Sequence, residues 1–241
     1  MNRSSARERQ TGFTLIELLT ALAIFLLVTG AAFTLLGVSQ KRYQSDSQVL
    51  NSFQEARLGL DEMIRNINDS GFPPPTFAGL DPTRYVSSPF AWSPNYPGTP
   101  CTIGVNCISP GDFDLIVETN INPQDLNSTV SWIRYQLQGT TLMRGVTPKV
   151  AGADPDNATI QAGLAPFVQN VANNAVPIFS YTCDTSSGLQ PCPAAGADNS
   201  PANIRDIEIT LIVATPQPDA QTGQPRLVEL HGRGRRINPN Q

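Results

Sequence analysis

Glu17 is the only charged residue between Phe13 and Val38, in the run FTLIELLTALAIFLLVTGAAFTLLGV. An isolated carboxylate in hydrocarbon costs roughly 2.5–3.5 kcal/mol at a helix centre and less near an end, where it can snorkel, and a plain anchor helix gives no reason for it. Cys101 and Cys107, separated by five residues, and Cys183 and Cys192, separated by eight, are the thiols. Neither spacing is the two-residue knuckle of a zinc site, and only one histidine is present, so no metal site is expected from them. Two groups of oxygen ligands are suited to calcium: Asp112 and Asp114 with Glu118, and Asp154 and Asp156 with Asn157. Both lack the glycine and distal glutamate of an EF-hand loop, and solvated turn carboxylates are the simpler expectation. His231 has no identifiable nucleophile beside it, the only lysines are Lys41 and Lys149, and no glycine-rich phosphate loop occurs. Catalysis is therefore not expected, and no cofactor is implied beyond the weak calcium possibility.

Composition narrows the classes further. The chain has 241 residues, with 16 Lys and Arg against 20 Asp and Glu, and a net charge of −4. This balance argues against a general nucleic-acid binder, whose affinity rests on a basic footprint. Arg233, Arg235 and Arg236 remain a local basic group that suits a partner subunit, anionic headgroups or DNA, or more simply a solvated strand edge that discourages aggregation. Asn68, Asn127 and Asn157 head glycan-acceptor triplets, which arise by chance in an Asn- and Ser/Thr-rich chain. With 21 Pro and 18 Gly but 40% hydrophobic residues, the chain reads as loop-rich and folded.

The elements that must position these groups divide at the N-terminal run. As a helix, 26 residues cover about 39 Å at about 1.5 Å per residue, enough to cross a hydrocarbon core of about 30 Å with some tilt. Arg3, Arg7 and Arg9, offset by Glu8, put the N-terminus on the cytoplasmic side and the rest across the membrane. Thr29-Gly30-Ala31-Ala32 has the look of a signal-peptide cleavage site, but the apolar run continues past it through Phe33, Leu35 and Leu36. Beyond Val38 the stripe Val49, Phe53, Ala56, Leu60, Ile64 and Ile67 carries one proline-free helix on to Ser70. Gly71 followed by Pro73, Pro74 and Pro75 ends it.

Residues 72–111 hold nine prolines among Tyr85, Phe90, Trp92 and Tyr96, which predicts a long irregular excursion pinned by aromatics. Strands are expected at Phe113–Glu118, Val130–Leu137, Thr141–Val146, Val176–Thr182, Ile204–Ala214 and Arg226–Ile237, with hairpins at Gln138-Gly139-Thr140 and Pro216–Pro225. A long helix followed by antiparallel strands gives an α+β fold. With the β-rich part outside the cytoplasm, local pairing of the cysteines into two disulfides is favoured, although four cysteines allow three connectivities.

The segment Gly12-Phe13-Thr14-Leu15-Ile16-Glu17-Leu18-Leu19, after a short basic leader, closely resembles the processing motif of type IV prepilins and type II secretion pseudopilins. That resemblance implies a pilin fold: a long membrane-spanning helix packed on an antiparallel sheet with long loops. It implies cleavage between Gly12 and Phe13 by prepilin peptidase, N-methylation of Phe13, and a role for Glu17 in neutralising the Phe13 ammonium of a neighbouring subunit during assembly. At about 4 Å and an effective dielectric of about 20, such a pair attracts by about 4 kcal/mol before desolvation is subtracted. The organisation implied is a leader at 1–12, a transmembrane and assembly half-helix at 13–38, an amphipathic half-helix at 39–70 and an extracytoplasmic head at 71–241. Losing the leader takes the net charge from −4 to −6.

The stretch Trp132–Arg144 and the strand ending Arg235-Arg236-Ile237-Asn238 also resemble, more loosely, the PilW-like minor pilins and J-type pseudopilins. The partners implied are prepilin peptidase, other pilin or pseudopilin subunits and an inner-membrane assembly platform. The location implied is a single pass through the inner membrane with a periplasmic head, then a pilus or pseudopilus. A tip adhesin or DNA-binding module is the expectation from a different class.

Overall fold

The computed structural model describes residues 12–78, 81–122, 124–125, 127–219 and 222–236. The basic leader residues Arg3, Arg7, Glu8 and Arg9, and Ile237 at the other end, lie outside the described residues. Contacts divide the chain into two units, Met1–Ser47 and Gln48–Gln241.

One helix, α1 (Leu15–Asn68), contributes to both units. In the first unit its apolar side chains are all exposed, from Leu15 at 79% to Val38 at 52%. In the second, its C-terminal turns bury Ala56, Gly59, Leu60, Met63 and Ile67. From Phe53 onward the apolar stripe read from the sequence thus faces the core, with Met63 and Gly59 added to it and Phe53 and Ile64 only half buried. Gly71 takes φ 88°, the left-handed value expected where the helix gives way.

The β-structure forms two antiparallel sheets where one was expected. The first has the order β1-β2-β3-β4-β5, built from β1 (Phe90–Ala91), β2 (Asp114–Thr119), β3 (Ser131–Gln138), β4 (Thr141–Pro148) and β5 (Ala165–Val168). The second has the order β7-β6-β8-β9, from β6 (Phe179–Thr185), β7 (Gly188–Pro191), β8 (Ile204–Ala214) and β9 (Leu227–Arg235). All six expected strands are present. The three that were not expected are short edge strands of two to four residues, too brief to show an alternating pattern. Two short helices also escaped the sequence reading: α2 (Pro75–Ala78), begun by a proline taken as a barrier, and α3 (Pro155–Ala162). In α3 Pro155 occupies the first turn, where its missing N–H costs nothing, and Asp154 caps by accepting from the Asp156 N–H at 2.9 Å.

The C-terminal turns of α1 pack on both sheets. Glycine makes this approach possible on β9, where a Cβ on Gly232 would lie 2.7 Å from Ile64 Cδ1 and one on Gly234 2.5 Å from Ile67 Cγ2. Against the first sheet, the Asn66 amide donates to the Tyr135 hydroxyl at 2.6 Å, and Arg144 pairs with Glu62 at 2.8 Å. The two inner sheet faces and α1 share one apolar core.

Every residue of β2 is buried, so the first sheet is covered on its other face as well. The cover is the proline-rich excursion. Trp92, Tyr96, Ala91 and Cys101 pack there on Ile116 and Trp132 as a second apolar cluster. Tyr96 stands edge-on between the two tryptophans, with ring centroids 4.7 Å from Trp92 and 5.7 Å from Trp132.

Candidate functional site

The chemistry singled out from sequence begins at the start of α1. Gly12, Phe13 and Thr14 precede its first residue, and Phe13 is 87% exposed. Thr14 Oγ1 accepts from the Glu17 N–H at 3.3 Å, while Glu17 Oε2 accepts from the Thr14 N–H at 3.1 Å and from the Thr14 hydroxyl at 3.0 Å. This is a reciprocal capping box, which satisfies N–H groups that a helix start otherwise leaves open. Glu17 therefore holds the helix start as well as carrying the charge. The Thr-x-x-Glu spacing announces that role in the sequence.

Past the cap, the segment suits an apolar solvent. It contains the only helix among the described residues that is long and apolar enough to cross a membrane, with a mean hydropathy of 2.4 and none of that stretch buried by its own chain. Its hydroxyls are satisfied internally: Thr20 donates to the Glu17 carbonyl at 3.0 Å, Thr29 to Phe25 at 2.7 Å and Thr34 to Ala31 at 2.8 Å. No threonine hydroxyl in this stretch needs water, which is what a lipid environment or a packed bundle of helices demands.

The cysteines close two local loops, Cys101–Cys107 and Cys183–Cys192. Of the carboxylates weighed as calcium ligands, Asp114, Glu118, Asp154 and Asp156 are drawn into other bonds, contrary to the expectation of solvated turns, while Asp112 is exposed as that expectation has it. Asp114 is buried and takes Arg134 Nη2 at 2.5 Å, Arg134 Nε at 3.1 Å and the Gln136 amide at 2.8 Å. Arg134 also pairs with Asp156, clamping α3 to the sheet. Burial disfavours the Arg134 charge, but Asp114 and Asp156 hold its pKa above the usual value. Among the described residues no three His, Cys, Asp or Glu side chains gather as a metal site.

Glu118 is fully buried beneath the excursion. It accepts from Lys149 Nζ at 2.5 Å, the Ser87 N–H at 2.9 Å and the Tyr96 hydroxyl at 2.6 Å. Lys149 completes its own shell with the Tyr85 carbonyl at 2.9 Å and the Ser87 hydroxyl at 2.8 Å. Nothing in the sequence marks Lys149, because its partners come from segments more than thirty positions away.

The C-terminal arginines are likewise less free than a solvated edge. Arg233 and Arg235 flank the fully buried Asp206 at 2.7 and 3.6 Å, and Arg236 is buried and donates to the Ala202 carbonyl at 2.7 Å. His231 is a surface residue beside Glu229 and Thr210, each at 3.3 Å. Of the glycan triplets, Asn68 accepts from the Arg235 N–H at 2.8 Å, Asn127 bonds Arg84 and Asn157 accepts from the Gln161 amide at 3.2 Å.

Residues 7–36 match the family description prokaryotic N-terminal methylation motif. No curated protein sequence matches the chain. Among solved structures, a type IV-like pilin from Thermus thermophilus is similar with a TM-score of 0.40 and 10% identity, over 78% of this chain and 97% of that one.

Proposed function

Because the chain carries a prokaryotic N-terminal methylation motif, we propose that it is a minor pilin-like filament subunit, cut between Gly12 and Phe13 and methylated on the new Phe13 amine. The observation that carries this proposal is the match at residues 7–36, on a helical stretch whose apolar side chains from Leu15 to Val38 are exposed. Such a surface must be covered by lipid while the subunit is stored, and by other helices once it is assembled. In the filament, Glu17 neutralises the Phe13 ammonium of a neighbouring subunit. The β-rich head lies on the far side of the inner membrane, in the oxidising compartment that its two disulfides suit.

The head is built to cap or begin a filament more readily than to repeat along one. An excursion of some forty residues, pinned over the first sheet, makes it bulky. The proposal is tested by replacing Gly12 with Ala and following both the mass of the chain and its recovery in sheared surface filaments. An uncut precursor absent from filaments supports it, and mature-sized protein from that variant refutes the processing. Deletion of the chain separates a pilus from a secretion pseudopilus: loss of piliation and twitching marks the first, and loss of enzyme export marks the second.

A further inference from the structure

A cleft of about 700 Å³ opens within the head at the ends of β2, β3 and β6. Its walls mix apolar side chains, among them Phe113, Val105 and Ile108, with polar ones such as Gln136, Ser180 and Tyr181, and Cys107 and Cys192 bring both disulfides into its lining. The first disulfide loop is joined to the segment that follows the second. The Ile103 N–H donates to the Asn199 carbonyl at 3.0 Å, and a Cβ on Gly104 would lie 3.0 Å from Pro193. One wall of the cleft is thus a cross-braced unit, which lowers the cost of ordering it when a partner binds.

The charge inside is one-sided. Among the described residues no Lys, Arg or His lines the cleft, whereas Asp112 and Asp114 both do. Asp114 is already held by Arg134 and Gln136. Asp112 is not: its backbone carbonyl is fixed by the Ile178 and Phe179 N–H groups at 2.9 and 3.0 Å, while its carboxylate makes no hydrogen bond or ion pair among the described residues. The apolar surface continues outward, with Val105 74% and Ile108 51% exposed at the rim. A small cation would leave that rim uncovered, while an extended chain carrying a cation between apolar side chains would cover it.

The geometry points to this cleft as a docking site for a neighbouring filament subunit, receiving an Arg or Lys side chain flanked by apolar residues on that subunit and pairing it with Asp112. The identity of the partner rests on the filament proposal above; the chemistry of the cleft does not.

The test places the photocrosslinking residue benzoylphenylalanine at Val105 in the full chain, in the producing bacterium, and maps the adduct by mass spectrometry. The expected adduct is a peptide of another methylation-motif subunit with a basic residue among apolar ones. Its yield should fall at least tenfold with Asp112→Lys, fall with Asp112→Asn, and return when the mapped basic residue is changed to Glu in the Asp112→Lys background. Absence of an adduct, an adduct on lipid or glycan, a mapped segment without a basic residue, or a yield indifferent to both Asp112 variants overturns the assignment. Non-reducing gels confirm that each variant keeps its disulfides, and where the Lys variant does not fold, the Asn variant alone decides the outcome. Cleavage and filament recovery are scored in the same cells. A cut, incorporated chain without adduct refutes the cleft alone, and an adduct on an uncut chain refutes the filament proposal alone.

Discussion

Lys149 Nζ lies 2.5 Å from Glu118 Oε1, with the two side chains 3% and 0% exposed. This pair fastens three parts of the head that are distant in the chain: the end of β4 through Lys149, β2 through Glu118, and the proline-rich excursion through Tyr85, Ser87 and Tyr96. Each charge is surrounded by hydrogen-bond partners, the condition under which a buried pair repays much of its desolvation.

Removing one member should therefore cost about 3–5 kcal/mol of head stability, because the other charge is left buried and unpaired. Lys149→Met and Glu118→Gln are expected to lower the thermal midpoint sharply, and the double variant should recover part of that loss. Both tryptophans of the chain, Trp92 and Trp132, sit in the adjoining cluster, so intrinsic fluorescence of the detergent-solubilised protein reports the transition. A double variant as unstable as the sum of the singles would show that the two charges are not coupled.

The seat of α1 on β9 makes a second prediction. Gly234→Val drives a side chain into Ile67, where even a Cβ would lie 2.5 Å from Cγ2, and should destabilise the head by about 1–3 kcal/mol or displace the strand. Gly30→Ala, with nothing within 4 Å of its Cβ, is the matched control and should leave the thermal midpoint unchanged.

The two roles of Glu17 separate by substitution. Glu17→Gln keeps an acceptor for the Thr14 cap but removes the charge, whereas Thr14→Val removes the cap and keeps the charge. If charge neutralisation drives assembly, Glu17→Gln is cut normally yet recovered in filaments at a small fraction of the wild-type level. Thr14→Val, costing the helix start about 1 kcal/mol, should be incorporated far better. Equal incorporation of Glu17→Gln and wild type would assign the carboxylate to capping alone.

Alkaline stability follows from buried phenols, of which Tyr96 and Tyr181 are two. Burial raises the pKa of Tyr96, with the Glu118 charge adding to it, and burial raises that of Tyr181 well above the ordinary value of 10.0. Each keeps its proton in the folded head at a pH where the unfolded chain releases it. The unfolded state then binds fewer protons, and stability falls as pH rises above about 10. Below that pH the two tyrosines contribute no slope. The slope above it should be shallower in Tyr96→Phe, measured by thermal midpoints between about pH 8 and 11, with phenolate absorbance appearing together with unfolding.

Some of this was legible from the chain alone because the signals are local. Hydropathy, with the Gly71 and Pro73–Pro75 stop, placed α1 within two residues at each end, and alternation placed Ile204–Ala214 as β8. The Gly139 turn between β3 and β4 was also readable, since φ 60° at Gly139 is a conformation that glycine adopts freely. The start of α3 was readable too, from Asp154 and Pro155, but its acidic residues drew attention as ligands instead. Of the candidate site, the motif from Gly12 to Glu17 was visible entire, since one helix start contains all of it. Asp112 appeared only as one carboxylate among several.

By itself, the sequence determined what depends on neighbours a few positions apart: a helix too apolar for water, the single acid near its start and the alternation of the longer strands, while it left the pairing of the four cysteines open among three connectivities. Tertiary structure alone decided which carboxylates are free. Asp114, Glu118 and Asp156 look like Asp112 in the chain, but Arg134 and Lys149 reach the first three from distant segments and leave Asp112 facing a cleft. It also decided that the prolines of 72–111 belong to a layer packed over a sheet. The reason is physical: charge pairing and burial act through space between segments whose separation along the chain carries no signal, and folding alone brings them together.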